Sequence, residues 1–168
     1  MITGGQGEGK TTLFRKVCGL LLNSQVSLSG FYAKGEWDGE RRSRFFICDL
    51  NSDASRLLCQ STPDASFEKH GRFYFSKDAI QFGHSLLTPE TPLSVCAMDE
   101  IGRFELDGFV WAERFSELLS IEGQQLLITV RDEYADEVIQ KFDISECSIY
   151  ACTADPEDVA REIIEWLQ

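Results

Sequence analysis

The 168 residues carry 28 acidic and 16 basic side chains, a net charge of −12, and 43% of them are hydrophobic types. That share, with 12 Phe, 4 Tyr and 3 Trp, supplies one sizeable core and excludes a chain that is mainly disordered. No apolar run approaches the roughly 18 residues of a membrane span. The acidic balance also excludes sequence-independent binding to nucleic acid or anionic lipid, which needs a basic face. A locally positive pocket for a nucleotide remains compatible with it. One domain over residues 1–168 is expected.

In chain order, a glycine-rich loop over residues 4–9 leads into a helix predicted over 10–23, with Leu13, Val17, Leu20 and Leu21 on one face. The strand feeding the loop has only Met1, Ile2 and Thr3 available, so it is either unusually short or continued upstream. Strands are predicted over 26–33 and 44–50, around Trp37-Asp38-Gly39-Glu40, where Asp-Gly marks a hairpin turn. Short strands are expected at 57–60 and 73–75. Ser76 can cap a helix over 77–87, closed off by Pro89 and Pro92. The apolar run 93–98 ends in Asp99-Glu100. A helix over 110–119, a strand over 126–130, a helix over 133–142 and a strand over 148–152 follow. Thr153 or Asp155 can cap the last helix, with Pro156 in its first turn. Short apolar strands alternating with amphipathic helices give an α/β fold with a mostly parallel, buried sheet flanked by helices. The hairpin region near residues 26–60 reads as an antiparallel extension of that sheet.

Gly4-Gly5-Gln6-Gly7-Glu8-Gly9-Lys10-Thr11 satisfies the phosphate-loop pattern G-x-x-x-x-G-K-[ST] in full. Glycines permit the backbone angles that turn N–H groups inward on a phosphate, and the helix that follows points its unpaired N–H groups at the same anion. Gly4, Gly5, Gln6, Gly7, Glu8, Gly9, Lys10, Thr11 and Thr12 are therefore the candidate nucleotide-binding residues. Lys10 can reach the β- and γ-phosphates, and the Thr11 hydroxyl can ligate Mg²⁺. Such a site also needs a carboxylate at the end of a neighbouring buried strand. Asp99 supplies it as the second candidate metal ligand, and Glu100 can orient or deprotonate the attacking water. Thr11 and Asp99 should face each other across a gap that one Mg²⁺ can bridge.

With these residues in view, the chain resembles the small P-loop nucleoside-triphosphatases, the family that includes the human cancer-related nucleoside-triphosphatase. The family's run after its catalytic strand is similar to D-E-I-G-K-M-E-L, and here it stands as Asp99-Glu100-Ile101-Gly102-Arg103-Phe104-Glu105-Leu106. Ile2-Thr3-Gly4, Gly9-Lys10-Thr11-Thr12-Leu13, Gly30-Phe31-Tyr32 and Gly71-Arg72-Phe73 also look like family blocks. The resemblance implies a RecA-like fold and Mg²⁺-dependent hydrolysis of a nucleoside triphosphate, ATP or GTP, to the diphosphate and phosphate, with broad base tolerance and slow turnover. Arg131 lies where a family basic residue often lies. It is either a catalytic stabiliser of transition-state charge or a surface arginine paired with Asp132 or Asp136. Arg42-Ser43-Arg44-Phe45 departs from the family's R-x-G-F, and Arg103 replaces a lysine, keeping the charge but not the donor geometry. Residues 53–70 and 151–154 match poorly, so base contacts are not carried over.

Arg41, Arg42 and Arg44 form either a cationic rim that recruits triphosphate or an alternating edge strand with its charges in water; the second reading is favoured. Trp37 and the aromatic residues over 67–82 either stack a base or an acceptor or, for most of the rings, belong to the core. The six cysteines form no Cys-x-x-Cys pair, and His70 and His84 complete no zinc pattern with them. With no export signal at the start of the sequence, reduced thiols and a cytoplasmic location are expected. Two other functions stay open beside the hydrolase: a P-loop kinase with a small acceptor bound near residues 30–90, and a nucleotide-dependent switch. Kinases close an arginine-rich lid over the phosphates, whereas the arginine cluster here sits on a predicted hairpin, which favours hydrolysis.

Overall fold

The computed structural model describes residues 1–39, 41–89 and 94–167. Glu40, Pro92, Leu93 and the side chain of Arg41, which figure in the expectations above, lie outside the described residues. Among the described residues no helix is long and apolar enough to cross a membrane. All six cysteines are free thiols.

Among the described residues nine strands form a single sheet. In chain order the elements are β1 (Ile2–Gly4), α1 (Lys10–Asn23), β2 (Leu28–Asp38), β3 (Arg41–Asp49), β4 (Ser55–Gln60), β5 (Glu68–His70), β6 (Phe73–Phe75) and α2 (Lys77–Leu86). The second half holds β7 (Val95–Ile101), α3 (Arg103–Leu106), α4 (Ala112–Leu119), β8 (Gln125–Arg131), a 3₁₀ turn at Asp132–Tyr134, α5 (Ala135–Lys141), β9 (Tyr150–Ala151) and α6 (Pro156–Trp166). The strand order is β5-β6-β4-β3-β2-β7-β8-β1-β9. The run β2-β7-β8-β1-β9 is parallel and the run from β2 out to β5 is antiparallel. This is an α/β fold with a mostly parallel sheet flanked by helices and an antiparallel extension.

β7 from Val95 to Met98 and β8 from Leu126 to Ile128 are apolar because both of their faces are covered there. Along β7, Cys96 and Met98 enter a core with Trp111, Phe115 and Leu118 of the α4 region and Val138 of α5. Val95 and Ala97 enter another, with Phe14, Val17 and Leu21 of α1 and Val159 of α6. Successive side chains thus alternate between the two layers, as a strand's period of two requires. Each fully buried Phe or Leu contributes roughly 1.5–3 kcal/mol by leaving water.

Several elements differ from the sequence reading. β2 runs on to Asp38 because its outer half, Lys34 to Asp38, pairs with β3 in a hairpin beyond the parallel sheet. β3 is paired with β2 along its length but with β4 only from Arg44 to Cys48. Arg44 therefore lies on an inner stretch, while Arg41 and Arg42, among the described residues, pair with β2 alone as an edge does. β5 was not expected: Glu68-Lys69-His70 has no apolar signal and becomes a strand by pairing with β6. The helix expected from residue 110 starts at Ala112, after the short α3, and the strand expected over 148–152 is ordered as β only at Tyr150–Ala151.

Gly30 shows why β2 and β7 meet so closely. Its φ is +128°, and a Cβ there would lie 1.9 Å from the Ala97 carbonyl oxygen. Gly30→Ala should therefore destabilise the protein by roughly 3 kcal/mol or more, since rigid backbone has to move. Urea unfolding of the variant measures this, and a midpoint equal to wild type would contradict the packing described.

Candidate active site

The C-terminal ends of three parallel strands converge, and each delivers a different group. β1 ends at Gly4 and passes into the glycine loop, β7 carries Asp99 and Glu100, and β8 ends at Arg131, the register partner of Gly4. The carboxylate strand is not the neighbour of β1 that the sequence suggested, because β8 lies between β1 and β7. Side chains bridge that distance. Thr11 Oγ1 of α1 donates to Asp99 Oδ2 at 2.8 Å, and Thr129 Oγ1 of β8 donates to Asp99 Oδ1 at 2.5 Å.

The loop is built to receive an anion. Gly9 stands at the start of α1 with φ 103° and ψ 11°, a left-handed conformation that glycine adopts without penalty. Among the described residues no side chain caps α1. By contrast, Ser76 accepts from Ala79 N–H at the start of α2, and Asp155 accepts from the Glu157 and Asp158 N–H groups at the start of α6. An uncapped helix start leaves N–H groups and the positive end of the helix dipole for a ligand. Glu8 Oε2 accepts from Gly5 N–H at 2.7 Å, so a carboxylate oxygen makes the kind of bond that a phosphate oxygen makes in such a loop. Lys10, 6% exposed, donates from Nζ to the Gly4 and Gly5 carbonyls, both at 3.0 Å. Gln6, Gly7 and Thr12 are exposed around it.

Asp99 is 1% exposed, and burial pushes its carboxyl up from the ordinary carboxylate range. Thr129, Thr11 and the Ala33 N–H oppose that shift by donating to it, the last at 3.1 Å. The gap expected between Thr11 and Asp99 is thus a direct hydrogen bond, because a buried carboxylate satisfies its lone pairs with the nearest donors. Asp99 and Glu100 lie within β7 rather than after it. Met98 pairs with Ile128 and Ile101 with Val130, so β7 holds one extra residue against β8. Strict alternation would send adjacent side chains to opposite faces. The extra residue re-aims them, and Asp99 and Glu100 line one cleft.

Glu100 Oε1 accepts from Arg131 Nε at 2.9 Å, both side chains being about one-third exposed. Among the described residues Glu100 Oε2 has no hydrogen-bond partner. Arg131 also lies 3.8 Å from Glu133, and among the described residues it pairs with neither Asp132 nor Asp136. Its partner is the glutamate beside the metal-ligand candidate.

Three groups at the site were not foreseen. Thr129 is the one hydroxyl in the apolar strand Leu126–Val130, and that break in composition was its only signal. The Ala33 N–H contributes through backbone alone and leaves no trace in a sequence. Glu105, 3% exposed, accepts from Gly102 N–H at 2.8 Å and from Trp111 N–H at 3.4 Å, tying α3 to the start of α4. Burial pushes its carboxyl up to about 8.

A glycine loop between a strand and an uncapped helix, a buried lysine at its end and a threonine bonded to a buried aspartate define a P-loop nucleotide-binding protein. A family model described as NTPase matches residues 1–164. The human cancer-related nucleoside-triphosphatase is 29% identical over 138 residues, covering 77% of this chain and 73% of the human one. Nucleoside-triphosphatase THEP1 of Thermotoga maritima is 29% identical over 149 residues, covering 86% and 82%. The crystal structure of THEP1 from the hyperthermophile Aquifex aeolicus superposes with a TM-score of 0.65 at 16% identity, over 99% of this chain and 97% of that one, which is likeness of fold. The chain belongs to this NTPase family and is a nucleoside-triphosphate hydrolase.

Proposed function

We propose that residues 1–168 act as one cytoplasmic, Mg²⁺-dependent domain that transfers the γ-phosphoryl group of ATP or GTP to water, with broad tolerance of the base. The observation that carries this reading is the Thr11–Asp99 hydrogen bond, which joins the phosphate loop to the carboxylate strand across 88 positions of sequence. Hydroxyl and carboxylate oxygens are hard donors of the kind Mg²⁺ takes, and one or two protein ligands suffice when phosphates and water complete its shell. Thr11 and Asp99 would hold the ion. When bound, it neutralises charge that develops on the β- and γ-phosphate oxygens.

The chain's own groups do the rest. Loop N–H groups and the start of α1 bind the phosphates, and Lys10 exchanges its carbonyl partners for phosphate oxygens. Glu100 Oε2 accepts a hydrogen bond from the attacking water and takes its proton, while Arg131 holds the other oxygen and fixes the carboxylate's direction. The incoming oxygen forms its bond to the γ-phosphorus as the bond to the β–γ bridging oxygen breaks, and the electron pair leaves with the diphosphate.

Phosphate release from purified protein with Mg²⁺ and each nucleoside triphosphate tests the activity, and Asp99→Asn tests the metal role. The variant should need roughly tenfold or more Mg²⁺ for half-maximal rate, the scale on which weakened metal sites respond. Its amide also turns an N–H₂ toward donors that Asp99 now satisfies, so a lowered melting temperature should accompany the change. An unchanged Mg²⁺ requirement would remove Asp99 from the metal site.

A further inference from the structure

Beyond Glu100 the site opens into a cleft of about 290 Å³ that the hydrolysis of a triphosphate by one water does not require. Thr11, Asp99, Glu100 and Arg131 line its inner end. Its walls are apolar: Phe45, Leu58, Phe73, Phe75, Phe104 and Trp111. The rings are fixed by edge-to-face contacts, with Phe75 and Phe104 centroids 4.9 Å apart and Phe45 and Phe73 5.6 Å apart. Water gains nothing from such walls, whereas an apolar cavity with a few placed polar groups is what a small organic ligand needs.

The charges in the cleft say what kind of ligand. Arg42 and Arg72 also line it, and among the described residues neither has a carboxylate within ion-pair distance. Their guanidinium groups lie over Trp37 and Phe73, at 5.4 and 4.8 Å from the ring centroids. Arg44 and Arg103, nearby, are paired with Glu36 and Asp107. The acids of the same cleft are engaged, Asp99 by Thr11, Thr129 and the Ala33 N–H, Glu100 by Arg131 and Glu105 by the Gly102 and Trp111 N–H groups. Among the described residues Arg42 and Arg72 are thus left as cations without an ion-pair partner, an attraction for an anion in a chain of net charge −12. Of the phosphate loop and α1, only Gln6 and Thr11 line the cleft. For Arg42, Ile47 pairs with Ala33, whose N–H holds Asp99, and the Arg42 backbone stands five residues further along β3, a backbone separation of roughly 16 Å at 3.3 Å per residue.

We propose that this cleft binds a second small molecule, a flat aromatic body carrying a carboxylate, sulfonate or phosphate. Its ring lies among Phe45, Phe73, Phe75 and Trp111, and its charge lies at Arg42 and Arg72. Its inner end fills the space through which water reaches Glu100. The occupant therefore controls hydrolysis from beside the nucleotide rather than in its place. This last consequence rests on the reading that the γ-phosphate meets Thr11, Asp99 and Glu100; the binding itself does not.

Naphthalenesulfonate, a rigid aromatic anion, is the probe, titrated by calorimetry into the nucleotide-free full-length protein. One-to-one saturable binding is expected. It should weaken about tenfold or more when Arg42 and Arg72 are both changed to alanine, as for the loss of charge-assisted contacts. Arg56→Ala, which removes a guanidinium stacked on Phe82 outside the cleft, should leave it unchanged. On wild-type protein alone, neutral naphthalenesulfonamide should bind about tenfold more weakly, which keeps the test independent of how the variants fold. With nucleoside triphosphate present, the probe should lower kcat and leave KM unchanged. Absence of binding, equal affinity for the neutral analogue, or displacement of the probe by nucleotide would each overturn the proposal. Because the titration needs no turnover, a protein that bound the probe but failed to hydrolyse would count against the hydrolytic mechanism and not against the cleft.

Discussion

Lys10→Ala is expected to abolish turnover and to weaken nucleotide binding at the same time. The Lys10 ammonium is buried, and its contacts are the Gly4 and Gly5 carbonyls of the loop that receives the phosphates. A cation placed there attracts phosphate oxygens in the bound substrate as well as in the transition state, so both stages lose it. Binding should weaken by roughly 10–100-fold, as expected for a lost charge-assisted contact at about 1.5–3 kcal/mol. Turnover should fall by a further factor of about 10² or more, because charge on the γ-phosphoryl oxygens shifts during transfer and a preorganised positive group is worth most then. Titration with a fluorescent nucleotide gives the first number and phosphate release the second. The loop carbonyls lose their donor in this variant, so a melting curve must accompany both measurements. Wild-type turnover in a folded Lys10→Ala protein would place the phosphates elsewhere.

Glu100→Gln should behave differently, with nucleotide affinity within a few-fold of wild type and kcat lower by roughly 10²–10⁴, the range for loss of a general base. Arg131 Nε donates to Glu100 Oε1, and a glutamine keeps an acceptor oxygen for that bond. The side chain therefore stays oriented while the oxygen that would take a proton from water is replaced by an amide. Since water is activated only as the reaction proceeds, binding of the ground state is spared. Single-turnover measurements separate the chemical step from product release. A Glu100→Gln protein that hydrolysed at the wild-type rate would end the role assigned to that carboxylate.

The cleft bears on the contest between hydrolase and kinase that the sequence left open. The arginine-bearing hairpin becomes an inner strand only from Arg44 onward, and Arg42, on the stretch paired with β2 alone, lines with Arg72 an apolar cavity beside Glu100. Family membership fixes the hydrolase class. The cavity adds a place where a second molecule can decide whether water reaches the reaction.

What the sequence determined by itself is whatever rests on neighbours along the chain. The phosphate loop is a contiguous run whose glycines set their own backbone angles, and Ser76 and Asp155 cap helices through N–H groups two or three residues away. The apolar runs of β7 and β8 announced a sheet buried on both faces. Tertiary structure alone decided the rest, because it depends on which distant backbones lie side by side. The insertion of β8 between β1 and β7 makes Thr129 a partner of Asp99, and the extra residue in β7 lets adjacent acids share a cleft. The Ala33 N–H, the pairing of Arg131 with Glu100 and the burial of Glu105 are of the same kind. A residue's type shows what it can donate or accept. Only the folded chain brings the partner to hydrogen-bond distance and removes the water that would otherwise take its place.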